Sequence, residues 1–257
     1  MIYSIIFIFL AGLFLLIFMI LEAFQNKVYY HTFEFQDFPN SFKTLKIFFI
    51  SDIHRRKINP LIINEAMGKV DIVIIGGDLT EEHVPFEQVE YNIIQLGRLG
   101  RTFFVWGNND YEVRSEKLIQ LFEKHNVVML RNDTEILKST EGEKIAIIGI
   151  DDISLEKDDL HLAMQKVDHS CFQILISHNP NIIKKITNIH SISFILSGHT
   201  HGGQIRIFGY SPYKRGGIYT YPFVTQLISN GYGTSMFPLR LGAKPETHII
   251  RLKKSKK

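Results

Sequence analysis

The chain opens with residues 2–21, an apolar run without a charged side chain, in which Ser4 is the only strongly polar residue. About 20 such residues, at about 1.5 Å of helical rise each, cross a bilayer core. A secretory leader would carry a basic n-region, a shorter apolar core and small residues at a cleavage point. Nothing basic precedes this run, and Leu21-Glu22-Ala23 is a poor cleavage site. The pattern predicts an uncleaved single-pass membrane anchor over residues 1–24. Orientation follows Lys and Arg rather than net charge. Lys27, Lys43 and Lys46 lean weakly toward a cytoplasmic domain, although Glu22, Glu34 and Asp37 share that flank.

Residues 25–44 read as a connector, in which Tyr29-Tyr30-His31-Thr32-Phe33-Glu34-Phe35 alternates as an edge strand and Pro39-Asn40-Ser41 ends it. Apolar runs then predict strands at 45–50, 71–75 and 102–106, with helices at 60–70, 85–99 and 114–125 between and after them. That βαβα alternation implies a largely parallel sheet covered by helices. Strands follow at 127–130, 135–138 and 144–150, a helix at 158–167, a strand at 172–176, a short helix to about 187, and a buried strand at 192–196. Residues 204–208, 223–228 and 247–252 read as further strands among Gly- and Pro-rich turns. Residues 45–257 are thus expected to form one α/β domain of two sheets with helices outside.

Composition narrows the function classes. With 257 residues, 45% hydrophobic, 21% charged and a formal net charge of +3, the balance is that of an ordinary globular chain. No Arg/Lys stripe with interleaved aromatics is present, so specific nucleic-acid binding is not expected. The basic cluster at 251–257 reads as a solvated tail. Cys171 is the single cysteine, and its apolar neighbours make it a buried hydrophobe rather than a nucleophile.

The polar groups that break this pattern stand at strand ends. Asp52 and His54, Asp78, Asn108, His178, and His199 with His201 each follow an apolar strand directly. In a parallel sheet such ends share one edge, where open α/β sheets hold their ligands. Seven oxygen and nitrogen ligands exceed one tetrahedral zinc site and suit two metals sharing a bridging carboxylate. The mixture of carboxylate, amide and imidazole fits Mn, Fe or Zn better than Ca or Mg. Taken singly, each Asp could be a helix cap and each His a surface residue; the coincidence at five strand ends is what carries the reading.

These motifs, Asp52-Ile53-His54, Gly77-Asp78, Gly107-Asn108-Asn109-Asp110, Ser177-His178 and Gly198-His199-Thr200-His201, resemble in order and spacing those of the calcineurin-like metallophosphoesterases. The ending, with Ser229-Asn230-Gly231-Tyr232-Gly233 and Pro238-Leu239-Arg240-Leu241-Gly242-Ala243, is similar to the membrane-associated bacterial subgroup typified by YkuE and YpbG. The resemblance implies a four-layer αββα sandwich. It also implies that Asp52, His54 and His201 hold one divalent metal and Asn108, His178 and His199 a second, with Asp78 bridging. Hydrolysis of phosphomonoesters or phosphodiesters by a metal-bridging hydroxide would follow.

One position departs from the pattern. Where the family usually has His after Gly-Asn, this chain has Asn109, and an amide cannot deliver a proton to a leaving group near neutral pH. His83 is then a candidate acid, with surface histidine as its alternative, and Asp110 a candidate to orient a ligand histidine. Arg55-Arg56-Lys57 could attract an anionic group or be a solvated basic turn. Tyr210, Tyr213, Tyr219 and Tyr221, with Lys214 and Arg215, could contact substrate or pack on the sheet. The expected partner is a phosphate ester, lipid-linked or nucleotide, and the membrane is reached through the N-terminal helix. A fold-related scaffold or phosphate-binding protein without turnover is the competing reading, and Asn109 is what favours it.

Overall fold

The computed structural model describes residues 1–168 and 170–255; Lys256 and Lys257 of the basic tail lie outside the described residues. The first helix, α1 (Ile2–Ala23), is followed by β1 (Val28–Phe35), β2 (Thr44–Ile50), α2 (Pro60–Ala66), β3 (Ile72–Ile75), α3 (Phe86–Gly97), β4 (Arg101–Phe104), α4 (Ser115–Lys124) and β5 (Val128–Met129). The second half contains β6 (Asp133–Lys138), β7 (Lys144–Ile150), α5 (Leu160–Met164), β8 (Phe172–Ser177), β9 (Phe194–Ser197), β10 (Gly217–Thr220), β11 (Thr225–Ile228) and β12 (Thr247–Lys254). Two six-stranded sheets result, in the orders β1-β12-β2-β3-β4-β5 and β10-β11-β9-β8-β7-β6.

The central strands of both sheets are apolar on both faces, and the period-2 geometry sorts their side chains into separate layers. Ile47, Phe49, Ile72, Ile74 and Phe103 of the first sheet face Ile145, Ile147, Ile174, Ile176, Phe194 and Leu196 of the second. Their chain neighbours Phe48, Ile50, Val73, Ile75 and Phe104 point the other way, under α2, α3 and α4. On the far side of the second sheet, Ala146, Ile148, Leu175 and Ile195 pack with Ala163 of α5, with Ile182 of a 3-10 segment and with Ile186 just after it. The order of layers is therefore helix, sheet, sheet, helix.

Local signals explain the element ends. The Asn59 side chain accepts from Leu61 N, with Pro60 in the first turn of α2. That helix stops at Ala66 rather than near 70, and Gly68 follows with φ 71°. The expected strand at 204–208 is absent as a regular element among the described residues. Gln204 and Phe208 both have φ 50°, which interrupts extension, and the segment makes only isolated bridges among the described residues, from Ile205 to Leu241 and Gly242 and from Ile207 to Tyr210. Conversely β10 forms where no strand was expected, because its mostly exposed Gly217–Thr220 carries no apolar alternation.

β1 pairs in parallel with β12 along its whole length and puts Phe33 and Phe35 against the inter-sheet core. α1 has 22 residues, about 33 Å at 1.5 Å each, and is long and apolar enough to cross a membrane. Its most apolar stretch is not covered by the rest of the chain, but Glu22 and Ala23 at its end are buried.

The inter-sheet layer should dominate stability. Phe103→Ala removes a fully buried ring from its centre and is expected to lower unfolding free energy by about 3–5 kcal/mol in urea titrations of the detergent-solubilised chain. A loss below about 1 kcal/mol would mean that the two sheets do not pack through this layer.

Candidate metal centre

β2, β3 and β4 run parallel in one sheet, β8 and β9 in the other, and their C-terminal ends meet at one end of the sandwich. The loops that follow pair with one another. Asp52 N donates to Gly77 O at 3.0 Å, Ile53 N to Asp78 O at 2.7 Å, and Gly198 N to His178 O at 2.9 Å. Asp52, His54, Asp78, His199 and His201 all have φ between 49° and 71°, the left-handed region that side chains other than glycine disfavour. Each such residue costs about 1–3 kcal/mol, and their concentration marks a site whose side-chain directions outweigh backbone comfort. Gly77, with φ 86°, leaves room for His178, whose Nδ1 would lie 2.5 Å from any Cβ there.

Six of the seven sequence-predicted ligands fall into two groups here, and the seventh, Asn108, lines the cavity beside them. Ligand atoms of Asp52, His54 and His201 lie within 4.8 Å of one another, as do those of Asp78, His178 and His199. Asp78 Oδ2 stands 3.1 Å from His178 Nε2 and 3.7 Å from His54 Nε2, between the two groups. His54 Nε2 is 3.0 Å from His201 Nε2, and His199 Nδ1 is 3.2 Å from His178 Nε2. Asn108 donates its amide to Asn109 Oδ1 at 2.9 Å, while its own buried Oδ1 has no hydrogen-bond partner.

Tautomers follow from the outer contacts. His178 Nδ1 donates to Gly76 O at 2.9 Å, and His54 Nδ1 faces Glu81 Oε2 at 2.9 Å. Each ring therefore turns its Nε2 toward the centre, where it meets a carboxylate oxygen or another imidazole nitrogen. Lone pairs converging in a buried space fit a divalent cation, and the orphaned Asn108 Oδ1 fits it too.

The electrostatics show that positive charge is favoured beside Asp78. Burial pushes Asp78 up, but the neighbouring His178 and His54 and the Asn109 amide together hold it well below the usual carboxylate range. Burial drives His178 down, yet the Asp78 charge and hydrogen bond carry it up to about 10. Burial outweighs its carboxylate neighbours at His201, leaving it at about 3, and also lowers His199, helped by His178.

The candidate catalytic residues divide. Asn109 lines a cavity of about 340 Å³ over the centre; its backbone N donates to Asp78 Oδ1 at 2.9 Å and its side-chain amide to Glu112 Oε1 at 2.8 Å. Asp110 reaches no histidine. It is fully buried and accepts from Gly107 N (2.9 Å), Asp78 N (2.8 Å) and Thr80 N (3.1 Å), so it shapes the backbone of the Asp78 loop instead of orienting an imidazole. His83 is exposed, 3.8 Å from Glu82, and is not among the cavity-lining residues.

The basic turn and the tyrosines also have definite roles. Arg55 pairs with Glu81. Arg56 donates to Phe24 O and Gln25 O at 2.8 Å and to Tyr232 O at 2.7 Å, and lies 3.8 Å over the Tyr232 ring. Lys57 stands 4.1 Å over Tyr91. Of the four tyrosines only Tyr213 lines the cavity, joined there by Gln204, Ser235 and Met236, which sequence reasoning missed. Also missed was the buried Arg240, which donates to Gly233 O, Asn230 O, Ala243 O and, at 3.3 Å, His201 O. The Pro238–Ala243 motif was the only signal for it.

Residues 45–203 match the calcineurin-like phosphoesterase profile. The chain is 47% identical over 229 residues to the uncharacterized protein YpbG of Bacillus subtilis, covering 88% of each. It is 28% identical over 259 residues to the uncharacterized metallophosphoesterase YkuE of the same organism, covering 91% of this chain and 87% of that relative. A bovine transmembrane protein with a metallophosphoesterase domain is 30% identical over 244 residues, which span 82% of this chain and 54% of the bovine protein. Among solved structures, the sulfate thiohydrolase SoxB of Thermus thermophilus is similar in fold, with a TM-score of 0.51 at 12% identity over 81% of this chain and 56% of that one.

Glu81 is the residue that this geometry adds to the centre. Glu81→Gln keeps its size but removes the charge facing His54 Nδ1. It should weaken metal affinity by about 10–100-fold in a competitive chelator titration; unchanged affinity would mean that Glu81 does not support His54.

Proposed function

The chain belongs to the calcineurin-like phosphoesterases, and from that premise we propose that it is a membrane-anchored phosphoesterase with a dinuclear metal centre, cleaving phosphomonoesters or phosphodiesters. The observation that carries this reading is the position of Asp78 Oδ2, 3.1 Å from His178 Nε2 and 3.7 Å from His54 Nε2, so that one carboxylate oxygen serves two ligand groups. Asp52, His54 and His201 would hold one ion, Asn108, His178 and His199 the other. The ligand chemistry suits Mn, Fe or Zn. When bound, two divalent ions supply Lewis acidity toward phosphoryl oxygens and lower the pKa of water.

The chain's own groups do the rest. Asp110 and Gly107 hold the Asp78 loop in register, and Glu81 and Gly76 fix the imidazole tautomers. The cavity brings a phosphate ester against Asn109, His199 and Gln204. Asn109 cannot protonate a leaving group, so the reaction favours esters whose leaving group departs as a weak base. α1 keeps the enzyme at a membrane. Its side of the membrane rests only on the weak lean of Lys27, Lys43 and Lys46 toward the cytoplasm.

A second reading, phosphate binding without turnover, is favoured by one observation: the Asn109 amide is already tied to Glu112. Hydrolysis of an aryl phosphodiester and an aryl monoester by the detergent-solubilised chain, with metal content measured alongside, separates the two. Turnover that depends on added Mn²⁺ and is lost with Asp78→Asn is expected. A fully metallated protein with no turnover would leave only the binding reading. Asn109→His should raise rates on alkyl esters by about 10–100-fold and on aryl esters far less, since general acid catalysis serves poor leaving groups most.

A further inference from the structure

α1 does not join the catalytic domain through a free tether. Met19 O accepts from Arg240 N at 3.1 Å, Glu22 Oε1 from Gly242 N at 2.8 Å, and Ala23 O, Phe24 O and Gln25 O from the Arg56 guanidinium at 2.8–3.4 Å. Met19 lies one turn above Ala23, about 6 Å back along the helix. The 238–242 segment therefore climbs beside the last turn of α1, and the domain is held at a set angle to the helix.

That same side of the domain carries large apolar side chains with nothing over them. Phe237 is 66% exposed, Met236 78% and Ile207 63%, and Phe208 is fully exposed. The two turns that bear them are one unit. Gln204 donates its amide to Ser235 O at 3.1 Å and Phe237 O at 3.2 Å, and Arg206 N donates to Leu241 O at 2.8 Å. Tyr210 extends the patch along the 205–210 turn, and Phe24, half exposed at the foot of α1, joins it to the helix. Phe24 and Met236 line one groove together with Ala23 and Pro238, and Met236 also lines the cavity over the metal centre. The apolar surface is thus continuous from the root of α1 to the mouth of that cavity.

A contiguous exposed apolar patch marks an interaction surface, and aromatic and aliphatic side chains beside the end of a spanning helix suit the interfacial layer of a bilayer. We propose that the 205–210 and 236–237 turns form a second membrane contact that presses the mouth of the metal cavity onto the bilayer crossed by α1. The proposal rests on the reading of α1 as a membrane anchor. It assigns the cavity to phosphate esters presented at the lipid surface, because Met236 is shared between the cavity and the lipid-facing groove.

The test uses the full chain in liposomes containing brominated lipids, with single tryptophans introduced by Phe208→Trp, Phe237→Trp, Phe14→Trp and Ile189→Trp. The native Trp106 is buried and gives a constant background. Phe14 is in the middle of α1, and Ile189 is an exposed apolar residue beyond the second sheet. Quenching at positions 14, 208 and 237 but not at 189 is the expected result. Quenching at 14 without quenching at 208 and 237 would overturn the second contact and leave the anchor standing. No quenching at 14 would overturn the anchor and the proposal with it. As a functional arm, Phe208→Ser with Phe237→Ser should cut turnover of a liposome-embedded phosphoester about tenfold and leave a soluble aryl ester within about twofold, in proportion to lost interfacial contact; equal effects on both substrates would count against the contact.

Discussion

The structure depends on one electrostatic constraint: carboxylates and imidazoles are brought together at the buried floor of a cavity. Asp52, His54, Asp78 and His178 are buried, and His178 Nε2 and His54 Nε2 stand 3.1 and 3.7 Å from Asp78 Oδ2. Burying carboxylates is costly unless positive charge stands beside them. The buried Arg240 guanidinium is turned to backbone carbonyls rather than to the carboxylates. A divalent cation would supply that charge directly, so the proposed metal ions would belong to the folded state and not only to the reaction.

The backbone reflects the same constraint. Five of the seven proposed ligands, Asp52, His54, Asp78, His199 and His201, sit at positive φ. Asp and His tolerate this region better than branched residues do, but five instances in so few loops would not persist without compensation. Much of it comes from loop-to-loop hydrogen bonds, in which the Asp52 and Asp78 segments exchange backbone contacts and Asp110 gathers three amide donors. A parallel sheet supplies the frame, since it sets these loops side by side at a fixed spacing of about 4.8 Å.

Much of this was legible in the sequence, and the reason is physical. Strands buried on both faces are written as continuous apolar runs, so the polar residues ending residues 45–50, 71–75 and 172–176 stood out against them. What could not be read depends on direction rather than pattern. Glu81 and Glu82 are adjacent and chemically identical, yet Glu81 turns in to His54 and Glu82 remains outside, because the intervening backbone decides which one is buried. Asp110 follows Asn108 by two residues and suggested an imidazole partner; a 3-10 turn rotates it instead toward amide groups. Arg56 and Arg240 each act across a long sequence separation, and no local pattern distinguishes such arginines from solvated ones.

Those two arginines join α1 and the candidate metal centre into a single mechanical body. Arg56 is two residues beyond His54 and holds the carbonyls at the end of α1. Arg240 bonds to Met19 through its backbone and to His201 O through its side chain. Movement of the helix root would therefore be felt at His54 and at His201, which belong to the same ligand group. A flexible linker would have allowed the cavity to take any orientation above a membrane. Here the residues that place the ligands also set the tilt of the helix, so the direction in which the cavity opens is a property of the fold.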